Sequence, residues 1–103
     1  MSDTIVSTAS VATQRGARYG KQLVSHLGRK SVGVWDDASD SGTLDMGDNA
    51  AHVTLKSTTD ALVITVEAAD TEIAAYEDVV GRHLERFGER DGLRVRWVRS
   101  AAT

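Results

Sequence analysis

The chain has 103 residues, 41% of them apolar and 26% charged, with a net charge of −3, which suits one modest core and reads as a single domain over residues 1–103. It contains no cysteine, so disulfides, thiolate catalysis, Cys-ligated zinc and Cys-held iron–sulfur clusters are excluded. The acidic balance argues against a nucleic-acid partner, and no apolar run approaches membrane-spanning length; the N-terminus lacks the pattern of a secretory signal, so a cytoplasmic location is expected.

Residues 1–12 read as a first strand, with Ile5, Ser7, Ala9 and Val11 on one face. Thr13 or Gln14 then opens a helix to about Lys30, in which Tyr19, Leu23 and Leu27 recur every four residues as the buried stripe. Gly16 and Gly20 lie beside that stripe, where they allow close approach to a sheet, and His26 lies on its edge.

From Ser31 to Glu67 the period changes from helical to alternating. Four strands fit, over Val32–Trp35, Thr43–Met46, Ala51–Lys56 and Leu62–Glu67, separated by Asp-, Gly-, Asn- and Thr-rich turns. Leu44, Met46, Val53, Leu55, Leu62, Ile64 and Val66 make one apolar face; His52, Thr54, Lys56, Val63, Thr65 and Glu67 make the other. This is the pattern of an antiparallel meander covered on one side.

Asp70 is expected to cap a second helix, whose stripe is Ile73, Tyr76, Val80, Leu84 and Phe87 and which stops between Gly88 and Gly92. Leu93 to Trp97 alternates as a final strand with Leu93, Val95 and Trp97 inward. The order β-α-β-β-β-β-α-β, with two one-sided helices and a one-sided sheet, predicts a two-layer α+β sandwich with both helices on one face of a mainly antiparallel sheet.

The chemistry-bearing residues are few. His26 and His83 flank the stripes of the two helices, and two imidazoles with a carboxylate such as Glu77 or Asp78 would be a metal-ligand set. Asp78 lies on the far side of its helix and diverges from His83, so metal binding is disfavoured and no cofactor is expected. No nucleophile elbow and no Gly-rich phosphate loop occurs, so no catalytic residue is assigned and a non-enzymatic role is favoured. The acidic stretch from Asp36 to Asp48 fails the calcium-loop template, with Ala38 at a ligand position and Ser41 in place of the glycine. A structural bridge from Asp36 or Asp37 to Arg18 or Lys30 is expected instead. The uncovered sheet face, with Trp35, Val63 and Thr65 and a rim of Arg94 and Arg96, is the candidate interaction face, suited to a second copy or to another partner.

Three blocks occur in a distinctive order: Ala17-Arg18-Tyr19 with Lys21-Gln22-Leu23 and His26, the turn at Asp36, and Glu77-Asp78-Val79-Val80 with His83 and Leu84-Glu85-Arg86-Phe87. From about Ser7 to Trp97 the chain resembles the small bacterial family known as domain of unknown function 2218. Arg29 stands where the family pattern suggests a second histidine, and Val32 where it suggests a proline. The resemblance implies a stand-alone cytoplasmic protein linked to siderophore or iron handling, with a siderophore-interacting flavoprotein as a candidate partner. It also groups Arg18, Tyr19 and Asp36 with His26 and His83 as a candidate site. The alternative is a small ligand-binding or catalytic protein with His26 and His83 lining a cleft between helix and sheet.

Overall fold

The computed structural model describes residues 3–28 and 31–101. The first strand, β1 (Thr4–Ala12), leads into α1 (Gly16–Leu27). Four strands follow: β2 (Val32–Asp36), β3 (Ser41–Met46), β4 (Ala51–Ser57) and β5 (Ala61–Ala69). Helix α2 (Ile73–Phe87), a short 3-10 turn (Glu89–Asp91) and β6 (Val98–Ala101) complete the chain. The strands form one six-stranded sheet in the order β2-β3-β4-β5-β1-β6, with every neighbouring pair antiparallel. The α+β sandwich read from the sequence is therefore the fold.

Both helices lie on one face of the sheet, α1 over β2 to β5 and α2 over β5 and β1. The core between the layers is built from the alternate residues expected: Leu44, Val53, Leu55, Leu62, Ile64 and Val66 are fully buried beneath Leu23, Val80 and Leu84. Burying each such side chain contributes about 1.5–3 kcal/mol, which is what fixes the register. Close approach of α1 depends on Gly20, where an added Cβ would lie 2.7 Å from the Trp35 ring.

Three local expectations are corrected. Asp70 does not cap α2: the helix begins at Ile73, and Glu72 occupies the cap without a side-chain hydrogen bond. Helix α1 ends at Leu27; Arg29 and Lys30, to which the expected helix extended, lie outside the described residues. The last strand is Val98–Ala101, paired with Ile5 to Thr8 of β1, and not Leu93–Trp97.

The reason for the last correction is physical. Leu93 is buried and Val95 and Trp97 pack on the core, so inward alternation holds. The backbone of this stretch is not in the ladder: the Val95 amide donates to Glu85 Oε2 of α2 at 3.0 Å. Trp97 and Val95 lie against Gly81 of the same helix. Alternation reports one-sided burial, and here a helix provides it. Among the described residues no helix is long and apolar enough to cross a membrane.

Candidate functional site

The face of the sheet turned away from the helices carries a continuous row across all six strands. The pairings Val34–Thr43, Thr43–Thr54, Thr54–Thr65, Thr65–Thr8 and Thr8–Val98 align four threonines between two valines. At about 4.8 Å per strand the row is about 24 Å long. Val32, Val34 and Val98 are 67%, 59% and 72% exposed, which places them outward although their type belongs in a core. A shallow hollow lined by Val34, Asp36, Thr43 and Thr54 lies at one end. Threonine serves such a face well, since its branched Cβ suits a pleated strand while its hydroxyl remains available to a partner.

On one side of the row the face is polar and acidic. Asp45, His52 and Glu67 are successive cross-strand neighbours, and His52 Nδ1 lies 2.7 Å from Asp45 Oδ1. On the other side Lys56 and Val63 pair, with Lys56 Nζ donating to the Ser39 carbonyl at 2.7 Å and holding the β2–β3 turn.

Of the residues expected on this face, Val63 and Thr65 are there. Trp35 is not: its neighbours in register are Gly42 and the inward row, and its ring packs between Gly20 and Gly42 on the helix side. The outward residues of β2 are Val32 and Val34, because a strand alternates and Gly33 faces Val24 and Leu44. Arg94 and Arg96 are exposed on the irregular segment beside α2 and belong to no strand.

The structure brings together only two of the five grouped residues. His26 and His83 meet across the seam between α1 and α2, ring centroids 5.1 Å apart, with Phe87 edge-on to His26 at 5.4 Å. At this helix–helix seam His26 is exposed and His83 half-buried, and neither borders the grooves lined by Glu77 and Trp97, by Arg15 and Leu93, by Arg18 and Ser57, or by Val34 and Thr54.

The other three lie elsewhere. Tyr19 donates its hydroxyl to Asp91 Oδ2 at 2.5 Å, with Arg15 Nη1 3.6 Å from the same oxygen. The bond to Asp91, then burial, raises the Tyr19 pKa above its ordinary value. Tyr19 is two turns along α1 from His26, about 10 Å. Asp36 is spent on its own turn, accepting from the Ala38 amide at 3.0 Å and the Ser39 hydroxyl at 2.9 Å. Arg18 is exposed and borders a groove with Ser57 and Thr58. The bridge from this turn runs from Asp37 to Lys21, at 3.4 Å, in place of the expected Arg18; Lys30 lies outside the described residues.

One polar cluster was not anticipated. Glu77 is buried beneath α2, where Ser7 Oγ donates to Oε2 at 2.5 Å, Arg99 Nε to the same oxygen at 2.8 Å and Arg99 Nη2 to Oε1 at 2.5 Å. The Arg99 bonds, aided by Ser7, hold the Glu77 carboxyl below the usual range against the opposing effect of burial. The signal was present: Glu77 stands four residues after Ile73 on the apolar stripe, and Ser7 on the inward face of β1. Polar residues at core positions imply each other as partners. Both oxygens of this carboxylate accept hydrogen bonds, Oε2 from Ser7 and Arg99 and Oε1 from Arg99, so the cluster ties β1, β6 and α2 together.

Among the described residues no group of three or more His, Cys, Asp or Glu is placed to hold a metal ion. No curated protein matches the sequence. The NMR structure of PA4090 from Pseudomonas aeruginosa is similar, with a TM-score of 0.64 at 23% identity, over 93% of this chain and 95% of that one. That likeness supports the fold alone. The family model described as an uncharacterized protein conserved in bacteria, DUF2218, matches residues 8–98, and the chain belongs to that family.

Proposed function

We propose that this protein is a non-catalytic binding module of the bacterial cytoplasm that works through its open sheet face. The observation that carries the reading is the Val34-Thr43-Thr54-Thr65-Thr8-Val98 row, uncovered because both helices lie on the other side. A flat surface of β-branched side chains, apolar at both ends and acidic along one flank, suits sheet-on-sheet or sheet-on-domain packing. It offers no activated nucleophile and no convergent acid–base pair, which is why binding is favoured over catalysis.

The family resemblance supports the finer part of the proposal: a role in siderophore or iron handling, with a siderophore-interacting flavoprotein as the partner. Sedimentation of the protein alone and mixed with such a flavoprotein from its host tests this. The mixture should form a complex that Thr65→Arg abolishes without altering the circular dichroism spectrum. Self-association lost in the same variant would identify a second copy as the occupant. A protein that remains monomeric and alone in both experiments would refute the reading.

A further inference from the structure

We propose that His26 and His83 form a two-imidazole site for a divalent transition-metal ion of the zinc, copper or nickel class, at the seam between α1 and α2. The first support is metric. A metal–nitrogen bond of about 2.0 Å, with the ring centroid about 1.1 Å behind the nitrogen, places each centroid about 3.2 Å from a shared ion; a tetrahedral angle then separates the centroids by about 5.2 Å. The observed separation is 5.1 Å, with the rings tilted by 44°.

The second support is the state of the His83 ring. Its Nδ1 lies 2.6 Å from the Val79 carbonyl oxygen, one turn back on the same helix. A carbonyl only accepts, so Nδ1 is the donor of this bond, and in the neutral ring Nε2 then keeps its lone pair. A backbone carbonyl that fixes the tautomer in this way is the usual outer support of a metal-binding histidine. Phe87 lies beside both rings, edge-on to His26 at 5.4 Å and 6.3 Å from His83.

The donor set selects the ion. Two neutral nitrogens suit zinc, copper and nickel and are poor ligands for calcium or magnesium, which take oxygen. With no third protein ligand among the described residues, the remaining positions belong to water or to a small ligand carried with the metal. Asp78, whose divergence from His83 disfavours a three-ligand site in the sequence, turns away and pairs with Arg82 at 3.0 Å. His26 and His83, which the sequence already sets on the flanks of the two helical stripes, meet without that carboxylate.

Zinc titration of the whole chain, followed by calorimetry and by the imidazole nitrogen signals in NMR, tests the proposal. One zinc should bind per chain, shifting the signals of His26 and His83 and leaving those of His52 in place, while magnesium gives no heat. His26→Ala, at an exposed position that does not threaten folding, and His83→Gln should each weaken binding about tenfold or more, the range that loss of even an outer-shell partner reaches. His52→Ala, on the opposite face of the sheet, should leave it unchanged. Zinc binding that survives loss of both helix histidines, or no zinc binding by the folded protein, overturns the proposal.

Discussion

Arg99 grips Glu77 through two separate bonds, Nε to one carboxylate oxygen at 2.8 Å and Nη2 to the other at 2.5 Å. The pair links the last strand to α2, and Ser7 of the neighbouring β1 completes it. Strand β6 is four residues long, exposed throughout and at the sheet edge, so little else holds it. Arg99→Ala should therefore release β6 selectively. Amide hydrogen exchange of residues 98–101 should quicken while the central strands stay protected; uniform quickening would show that the pair supports the whole fold instead.

The same carboxylate predicts a pH dependence. Its pKa is lowered in the folded state, so its contribution is complete above the ordinary glutamate value of about 4.3 and is lost as pH falls through the folded value. Glu77→Gln should cost about 1–2 kcal/mol at neutral pH, discounted for the half-exposed arginine, and should flatten the decline of stability below about pH 4.3. Urea midpoints measured across that range check it. Parallel curves for the two proteins would contradict the assignment.

Tyr19 has the opposite sign. Its hydroxyl pKa is raised by donation to Asp91, so its contribution is complete below about pH 10 and fades as pH rises beyond that. Tyr19→Phe should cost about 1–2 kcal/mol at pH 7 and remove the fading at high pH. Thermal melts at pH 7 and above pH 10 measure both effects.

The α1 interface makes a steric prediction. At Gly20 a methyl group would meet the Trp35 ring at 2.7 Å and Leu62 at 3.3 Å. Alanine gains up to about 1 kcal/mol of helix propensity, while overpacking costs about 1–3, so Gly20→Ala should destabilise by about 1–2 kcal/mol. The indole signal of Trp35 should move and that of Trp97 should not. A stabilised variant would mean that the ring swings clear.

What was legible in the sequence follows from burial. Alternation at Leu62, Ile64 and Val66 and the helical stripe at Ile73, Val80 and Leu84 report one-sided covering, and those residues are the core. Partners distant in sequence were not legible. Trp35 reads as an exposed aromatic until Gly20 and Gly42 are seen on either side of its ring. Leu93 to Trp97 reads as a strand because a helix can bury alternate residues as well as a sheet can. The threonine row is invisible for the same reason: Thr8, Thr43, Thr54 and Thr65 align only once the order β3-β4-β5-β1 is known.

The threonine row is proposed as the working surface of the protein. Backbone amide shifts of the labelled protein, recorded as the flavoprotein or a high concentration of the protein itself is added, test it most directly. If partners dock there, the shifts concentrate at Thr8, Thr43, Thr54 and Thr65 and at the flanking Val34 and Val98. Shifts confined to the exposed sides of α1 and α2, with the row unmoved, would contradict it.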